Sequence, residues 1–176
     1  MARSTLPTFP LIVFGIIEPA LLIVAYVTAM RDPATYFADQ APNYAVNAGQ
    51  FVPQALGLTL QMANVLLLLA LLAWVCCWSR DPATARGFLV AVAFADWGHL
   101  YAVYRTVGLD LFLNPAAWNG NVAGNIGASA VLNVLRWLTV FGVFGPVQAA
   151  AVSTNTTTTT TTTTSKAAAA KNKKST

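Results

Sequence analysis

The sequence predicts an all-α fold, a four-helix transmembrane bundle followed by a disordered C-terminal tail. The chain of 176 residues is 56% hydrophobic and only 9% charged, a composition typical of integral membrane proteins. Four apolar segments are each long enough, at about 1.5 Å per residue, to cross a hydrocarbon core of roughly 30 Å. The last part of the chain contains an unbroken threonine run over 156–164 followed by alanines and lysines, which cannot bury apolar surface. We therefore expect a membrane domain over 1–148 and a tail over 149–176.

The four predicted spans cover about 9–30, 52–78, 85–105 and 125–147. The first span is interrupted by Glu18 and Pro19, and Pro19 frees the carbonyl of Gly15 from its helical partner. Such a defect is tolerated in a membrane when neighbouring protein or water satisfies the carbonyl. A secretory signal peptide is the alternative for this segment, but the apolar run is too long and contains a glutamate.

The connections follow from changes in composition. Residues 31–50 are rich in Asp, Pro, Asn and Tyr, which predicts a loop with at most a short surface helix. The pentapeptide Arg-Asp-Pro-Ala-Thr occurs at 31–35 and again at 80–84, where it suits the end of one helix and the cap of the next. The second and third spans are expected to form a hairpin, and 106–124 a loop against the membrane interface. Small residues at 127–129 would allow close helix approach at the start of the fourth span.

The net charge of +4 comes from the tail, because four of the ten basic residues are lysines after position 165. The remaining six basic and six acidic residues balance, so we expect no nucleic-acid partner. Four spans place the N-terminus, the 80–86 turn and the tail on one side of the membrane. That side contains Arg3, Arg80, Arg86 and the four tail lysines, against Arg31 and Arg105 on the other side. The positive-inside rule therefore predicts cytoplasmic N- and C-termini.

The C-terminus ends Lys173-Lys174-Ser175-Thr176, with lysines third and fourth from the end. This pattern resembles the dilysine retrieval signal of endoplasmic-reticulum membrane proteins, which works only on a cytoplasmic tail. The resemblance implies localisation in the endoplasmic-reticulum membrane, with the coat-protein retrieval machinery as a partner that binds Lys173 and Lys174.

Polar and ionisable residues inside the predicted spans indicate a shared intramembrane cavity. Such residues are costly in lipid and commonly mark functional sites. These residues are Glu18 in the first span, Gln61 and Asn64 in the second, Asp96 and His99 in the third, and Asn133 and Arg136 in the fourth. Glu18, Gln61, Asp96 and Arg136 lie roughly 14 to 17 Å from a membrane face, so antiparallel helices would bring them to one layer. We expect the polar stripe of the second span, which also includes Gln54 and Gly57, to face protein and the leucines to face lipid.

Within this layer we expect Asp96 to pair with Arg136, so that loss of Asp96 would leave the guanidinium unpaired. Glu18 lacks an obvious cation, and we expect it to be protonated and to serve as general acid. Asp96 and His99, which share a helix face, would position the substrate or receive a proton, although a purely structural pair is an equal alternative. The remaining candidate substrate-binding residues are Gln61, Asn64, Asn133 and Arg136, with Trp97 and Tyr101 able to stabilise a carbocation.

We expect no metal and no other cofactor, because one histidine and scattered acids do not make a typical zinc site. The only two cysteines are Cys76 and Cys77, adjacent at a helix end, so there is no disulfide framework. They are predicted to be packing residues, with palmitoylation as the alternative for their juxtamembrane position.

Three segments carry a resemblance to known proteins: Gly-Ile-Ile-Glu-Pro-Ala-Leu-Leu around Glu18, Ala-Asp-Trp-Gly-His-Leu-Tyr around Asp96, and Asn-Val-Leu-Arg-Trp around Arg136. They resemble a fungal family of small four-span membrane proteins. In architecture the chain is also similar to the emopamil-binding protein and sigma-2 receptor superfamily, whose four-span bundles hold sterol-like ligands around intramembrane acids. Small membrane-bound terpene cyclases of fungi, which protonate an alkene or epoxide, are a second analogy.

Three classes of function remain open. A membrane-bound cyclase or isomerase would act on an isoprenoid- or sterol-like substrate through acid catalysis. A lipid-binding or scaffold protein would use the same cavity without turnover. A small transporter ranks third, because the polar residues concentrate near the middle of the spans and do not continue from one face to the other.

Overall fold

The computed structural model describes residues 4–44 and 51–148, and all regular secondary structure in these residues is helical. Helix α1 is Thr8–Arg31, α2 is Pro33–Ala38, α3 is Pro53–Cys77 and α4 is Pro82–Phe112. Helix α5 runs over 120–140 and joins the segments Gly120–Val122, Ala123–Ala128 and Ser129–Val140. The predicted tail over 149–176, with its two C-terminal lysines, lies outside the described residues.

Three helices, α1, α3 and α4, are long and apolar enough to cross a membrane, so the chain is a multi-pass membrane protein. The predicted first and second spans agree with α1 and α3 to within one residue at each end. The predicted third span is too short, because α4 begins at Pro82 and continues into the expected loop. A break at Gly108, where φ is 79°, precedes its last turn.

Helix α5 occupies the place of the predicted fourth span, but its bounds differ from the expected 125–147. It begins at residue 120 and ends at Val140, because Gly142 and Gly145 have φ values of 79° and 108° and turn the chain away from the helix. Its segment Ala123–Ala128 is a wider π-helical stretch. Helices α1, α3, α4 and α5 form one bundle, and α5 is its last helix in chain order.

The helices pack mainly as two pairs, α1 against α3 and α4 against α5. The α1–α3 contact is close because α3 presents small residues to it. These buried residues are Thr59, Ala63, Ala70, Ala73 and Cys77. Small side chains let two backbones approach closely, which is a common form of helix packing in membranes.

The polar stripe of α3 lies on the opposite side from this contact. Gln54, Gln61 and Asn64 are all exposed, so the prediction that the stripe faces the protein is wrong for the single chain. The physical reason is that small side chains gain more from close packing with α1 than carboxamides would. The amides therefore point outward, where the sequence pattern predicts the leucines.

The break in α1 that the sequence predicts is present and is satisfied by protein. Residues Val13–Ile17 form a π-helical stretch directly before Glu18 and Pro19. The carbonyl of Gly15 accepts a hydrogen bond from Nε1 of Trp78 at 3.0 Å. A Cβ added at Gly15 would lie only 3.0 Å from that same indole nitrogen, so glycine is needed for this contact.

The repeated pentapeptide performs the same task twice, as predicted. Asp32 accepts a hydrogen bond from the backbone N–H of Thr35 at 3.1 Å, and Asp81 accepts from that of Thr84 at 3.0 Å. The backbone hydrogen bond from Thr35 lowers the pKa of Asp32. The pKa of Asp81 is lowered first by the hydroxyl of Thr84, which donates to Oδ2 at 2.6 Å, and then by the backbone N–H groups. Each aspartate therefore caps a new helix whose first residue is a proline, α2 in one case and α4 in the other.

An apolar cluster fills the bundle at the end where α1 begins and α3 finishes. Its buried members are Leu6, Val13, Phe14, Cys77, Ala85 and Leu89, with Leu135, Val140 and Val147 packed against them. At the opposite end, asparagine side chains fix the loops. Asn121 donates to the carbonyl of Tyr36, Asn119 to that of Asp39 and Asn125 to the side chain of Gln40, which hold α2 and the turn after it against the start of α5.

Candidate functional site

The centre of the bundle contains one guanidinium that binds two carboxyl groups from different helices. Arg136 of α5 donates from Nη2 to Oε1 of Glu18 in α1 and from Nη1 to Oδ2 of Asp96 in α4. Arg136 is 1% exposed and Glu18 is 4% exposed, so this cluster is removed from solvent. We call these three residues the central triad. The expected Asp96–Arg136 pair is present, and the expectation that Glu18 has no cation is wrong.

The central triad is held in place by neighbouring side chains. The Nδ2 of Asn133, one turn before Arg136, donates to the carbonyl of Ala93 at 2.7 Å and to Oδ2 of Asp96 at 3.3 Å. The ring of Phe14 lies under the guanidinium, 5.3 Å from its Cζ, and covers that face with an aromatic surface. Arg136 and Asn133 are therefore fixed parts of the bundle core.

The hydrogen bonding of the triad is incomplete. Among the described residues, Oε2 of Glu18 and Nε of Arg136 have no hydrogen-bond partner although both atoms are buried. Two carboxyl groups also share a single guanidinium, so one negative charge would be unbalanced if both were ionised. A proton on one carboxyl would balance the charge, whereas Oε2 needs a donor and Nε needs an acceptor from a bound molecule.

A cavity of about 700 Å³ lies between the two helix pairs and reaches the central triad. Its walls are mostly apolar side chains of α1, α3 and α4, including Leu22, Met62, Leu66, Leu69 and Val92. Glu18, Asp96, His99 and Arg136 also line it. Cavities of this kind, apolar with a few convergent polar groups, are the usual form of small-molecule sites.

The cavity extends from the central triad toward one end of the bundle only. From the central triad it extends past Thr28 and Ala102 to Tyr36, Asp39 and Asn121 at the end that α2 covers. On the other side of the triad lies the apolar cluster that includes Phe14 and Leu89, both 0% exposed. Polar groups therefore lie at both ends of an apolar chamber, and the inner end is closed.

His99 lines the cavity one turn along α4 from Asp96, beside the backbone of Asn125. The structure thus brings five of the predicted site residues to one place, namely Glu18, Asp96, His99, Asn133 and Arg136. The π-helical stretch of α5 provides the backbone next to the histidine. Their chemical roles stay predictions.

Four other predicted site residues do not line the cavity. Trp97 and Tyr101 are 58% and 59% exposed on the outer side of α4. Being four residues apart, they share a helix face, and that face is turned away from the face of Asp96 and His99. Gln61 and Asn64 are exposed on the outer side of α3. None of the four can contact a molecule in the chamber of this chain, so the proposed carbocation contact is corrected.

Several cavity residues carry no functional signal in the sequence. Phe14 has no polar group, so its contact with Arg136 could not be anticipated. Tyr36, Asp39 and Asn121 belong to segments that the sequence predicts as loops, and only the fold places them at the end of the chamber that α2 covers. The number of asparagines before the fourth span is the one signal that this end is polar.

The described part of the chain contains no group of three or more His, Cys, Asp or Glu side chains able to hold a metal ion. Cys77 is 0% exposed and its carbonyl accepts from Oγ of Ser4 at 2.5 Å, in agreement with a packing role. Cys76 is only partly exposed. Palmitoylation remains an open alternative for Cys76 alone, because Cys77 has no access to the membrane interface.

Comparison with known families places the chain in one of them. A model described as a domain of unknown function, DUF7704, matches residues 3–146. The chain belongs to the DUF7704 family. The DUF7704 match contains all the helices and the central triad, and it ends before the threonine-rich tail. No curated protein and no solved structure matches the chain.

Proposed function

We propose that this DUF7704 protein binds a hydrophobic small molecule or lipid of the isoprenoid or sterol class in the chamber between its helix pairs. The observation that carries the proposal is the unpaired Oε2 of Glu18, buried at the inner end of an apolar chamber. A buried acceptor without a donor costs about 1–3 kcal/mol. The hydroxyl group of a lipid alcohol would supply that donor while its hydrocarbon body contacts Leu22, Leu66 and Val92.

The second candidate is acid catalysis on the same class of molecule, as in a cyclase or isomerase. It is favoured by the charge balance of the triad, because two carboxyl groups with one guanidinium leave room for one transferable proton. Glu18 is the preferred general acid, since it lines the chamber and its Oε2 has no hydrogen-bond partner among the described residues. Asp96, which Asn133 also orients, and His99 would accept or relay the proton. Neither candidate requires a metal or another cofactor.

A transporter is the third candidate and the least supported. Alternating access needs a path from each face to the site. In this structure the chamber extends only toward α2, and the apolar cluster around Phe14 and Leu89 occupies the other half of the bundle. The resemblance to sterol-binding four-span proteins that the sequence suggests favours the binding candidate, and it is an analogy of architecture rather than of site.

The binding proposal is tested by the lipids that remain with the purified protein. Full-length protein in nanodiscs would be extracted and its lipids identified by mass spectrometry, relative to empty nanodiscs from the same membranes. Ala95→Trp fills the chamber with a large side chain, whereas Val134→Trp adds the same bulk on the outer side of α5, where Val134 is 57% exposed. We expect the enriched lipid to be lost in Ala95→Trp and retained in Val134→Trp.

Glu18→Gln separates the two leading candidates. An amide at this position still accepts a hydrogen bond but cannot donate a proton to carbon. If Glu18→Gln retains the lipid but no longer converts it to product, catalysis is favoured. If neither wild type nor Glu18→Gln converts the bound lipid, binding alone is favoured. Equal lipid content in wild type, Ala95→Trp and empty nanodiscs would contradict a bound lipid altogether.

We also propose that the protein resides in the endoplasmic-reticulum membrane with four spans, α5 being the fourth, and with both termini in the cytoplasm. Support comes from the distribution of basic residues and from the C-terminal lysines. The end of the chamber that α2 covers would then face the lumenal side of the membrane.

A further inference from the structure

The outer face of α3 carries a regular row of residues that no part of the described chain covers. The row has the alternating three- and four-residue spacing of a coiled-coil seam. Its members are Gln54, Gly57, Gln61, Asn64, Leu68, Leu71 and Val75. We call this row the outer seam. Leu68, Leu71 and Val75 are 54%, 48% and 69% exposed, and the three amides are exposed as well.

The outer seam is separate from both surfaces that α3 already uses. Each member of the buried row, such as Thr59 or Ala63, lies two residues from a seam member, which is about 200° around the helix. The chamber is lined by a third face that includes Met62 and Leu69. One helix therefore packs on α1, borders the chamber and leaves a heptad face turned outward.

Hydrocarbon is a poor environment for the polar half of this row. Asn64 lies at the middle of Pro53–Cys77, and Gln61 is one turn nearer the start of the helix. A side-chain amide has two N–H donors and a carbonyl acceptor, none of which lipid can satisfy. Neither side chain forms a hydrogen bond within residues 4–44 and 51–148.

We propose that the outer seam binds a second copy of this chain, so that the protein is a parallel, two-fold symmetric dimer in the membrane. Two copies inserted with the same topology have parallel α3 helices, and a two-fold axis along the membrane normal places each seam residue against its own equivalent. Carboxamides are self-complementary, so Gln61 pairs with Gln61 and Asn64 with Asn64 across the axis. Gly57 allows close approach, and Leu68, Leu71 and Val75 supply the apolar contacts.

A central polar residue in such a seam fixes both register and oligomeric state, which favours a single defined partner over loose association. Because the seam does not include chamber residues, the dimer is independent of the proposed ligand. The two ideas can therefore fail separately.

The test is single-molecule photobleaching of full-length, N-terminally labelled protein in liposomes at decreasing protein-to-lipid ratio. Wild type is expected to dimerise. Gln61→Leu/Asn64→Leu removes the amide pairs and should weaken dimerisation by about tenfold or more. Gly57→Leu should do the same by steric conflict across the dimer axis. The single chain tolerates this change, because a Cβ added at Gly57 would meet nothing within 4 Å.

Gly87→Leu is the matched control, because Gly87 is equally open and lies at a similar distance from the start of α4. It should dimerise as wild type does. Wild type that stays monomeric at every density, or dimers that persist unchanged in both seam variants, would overturn the proposal. A complex found only with a different protein in native membranes would overturn it as well.

Cysteine cross-linking provides a geometric check in a Cys76→Ser/Cys77→Ala background. Leu68→Cys places a thiol in the seam, and Val134→Cys places one on the outer side of α5, where Val134 is 57% exposed. Oxidation should produce a covalent dimer from Leu68→Cys and none from Val134→Cys. The reverse pattern would place any dimer contact on another face.

Discussion

Arg136 is the residue on which the interior of this membrane protein depends. Its guanidinium has five donors in a planar fork, which allows one side chain to bind carboxyl groups on two sides at once. Glu18 and Asp96 use two of its nitrogens, and the ring of Phe14 covers its face. Arg136 therefore links α1 to the pair formed by α4 and α5, with which α1 otherwise makes few direct contacts.

This arrangement predicts unequal effects of removing one or both acids. Glu18→Gln and Asp96→Asn each leave one carboxyl on Arg136 and keep a carbonyl acceptor in place of the other, so each should cost about 1 kcal/mol or less. The double variant leaves a buried guanidinium without a counter-ion and should cost about 3–5 kcal/mol. Thermal unfolding of the four proteins in one detergent measures this non-additivity.

The prediction corrects the expectation that Asp96 alone balances Arg136. If Asp96→Asn by itself destabilised the protein as much as the double variant, Glu18 could not be a counter-ion. Asn133→Ala is a useful companion, because it removes the amide that orients Asp96 and leaves both acids present.

Among the helices, the break in α1 depends on Trp78, the residue directly after α3. Pro19 has no N–H, so the carbonyl of Gly15 needs another donor, and the indole of Trp78 supplies it. The surrounding π-helical stretch widens the helix immediately before Glu18. The defect that turns Glu18 toward the chamber is thus stabilised from the end of α3.

We expect Trp78→Phe to destabilise the protein by about 1–3 kcal/mol, because it keeps the aromatic ring but leaves the carbonyl of Gly15 without a donor. Gly15→Ala should also destabilise, by about 1 kcal/mol or more, since its Cβ would crowd the indole nitrogen. Gly87→Ala is the control, and it should stabilise slightly because that glycine is open and helical. Chemical or thermal unfolding compares the three; equal stability of Trp78→Phe and wild type would mean that water replaces the indole.

At the scale of the whole molecule, topology can be tested with the sequon Asn155-Thr156-Thr157, which lies outside the described residues. A cytoplasmic tail cannot be glycosylated, so the protein should show no glycosidase-sensitive mobility shift. An acceptor sequon engineered between α2 and α3 should be modified if that segment is lumenal. A shift in the wild-type chain that disappears in Asn155→Gln would reverse the proposed orientation and remove the retrieval-signal hypothesis.

The location of the protein is predicted to depend on the tail and not on the bundle. Replacing Lys173 and Lys174 with serine should let the protein leave the endoplasmic reticulum, while its melting temperature stays that of wild type. Fluorescence microscopy with organelle markers measures the location. Replacement of Lys166 and Lys171 with serine is the control, because it removes the same charge from the tail. Retention of the Lys173/Lys174 variant would indicate that these lysines carry no address.

The class of the protein and its buried charged residues could be read from the amino-acid sequence. Long apolar segments must become helices in lipid because every backbone group needs an internal partner, so α1 and α3 could be placed to within a residue. An ionisable residue in such a segment is costly wherever its helix is turned, which is why the sequence alone singles out Glu18, Asp96 and Arg136. Local capping by Asp32 and Asp81 was equally visible, since those hydrogen bonds span only three residues.

The rotation of each helix about its own axis became known from the folded structure. That rotation is set by side-chain packing between helices distant in sequence, and a pattern of polar residues along one helix does not reveal what covers it. Small residues directed α3 toward α1 and turned Gln61 and Asn64 outward, and the same rotation of α4 placed His99 inside and Trp97 outside. The sharing of Arg136 between two acids likewise depends on three helices meeting at one level, which no local pattern contains.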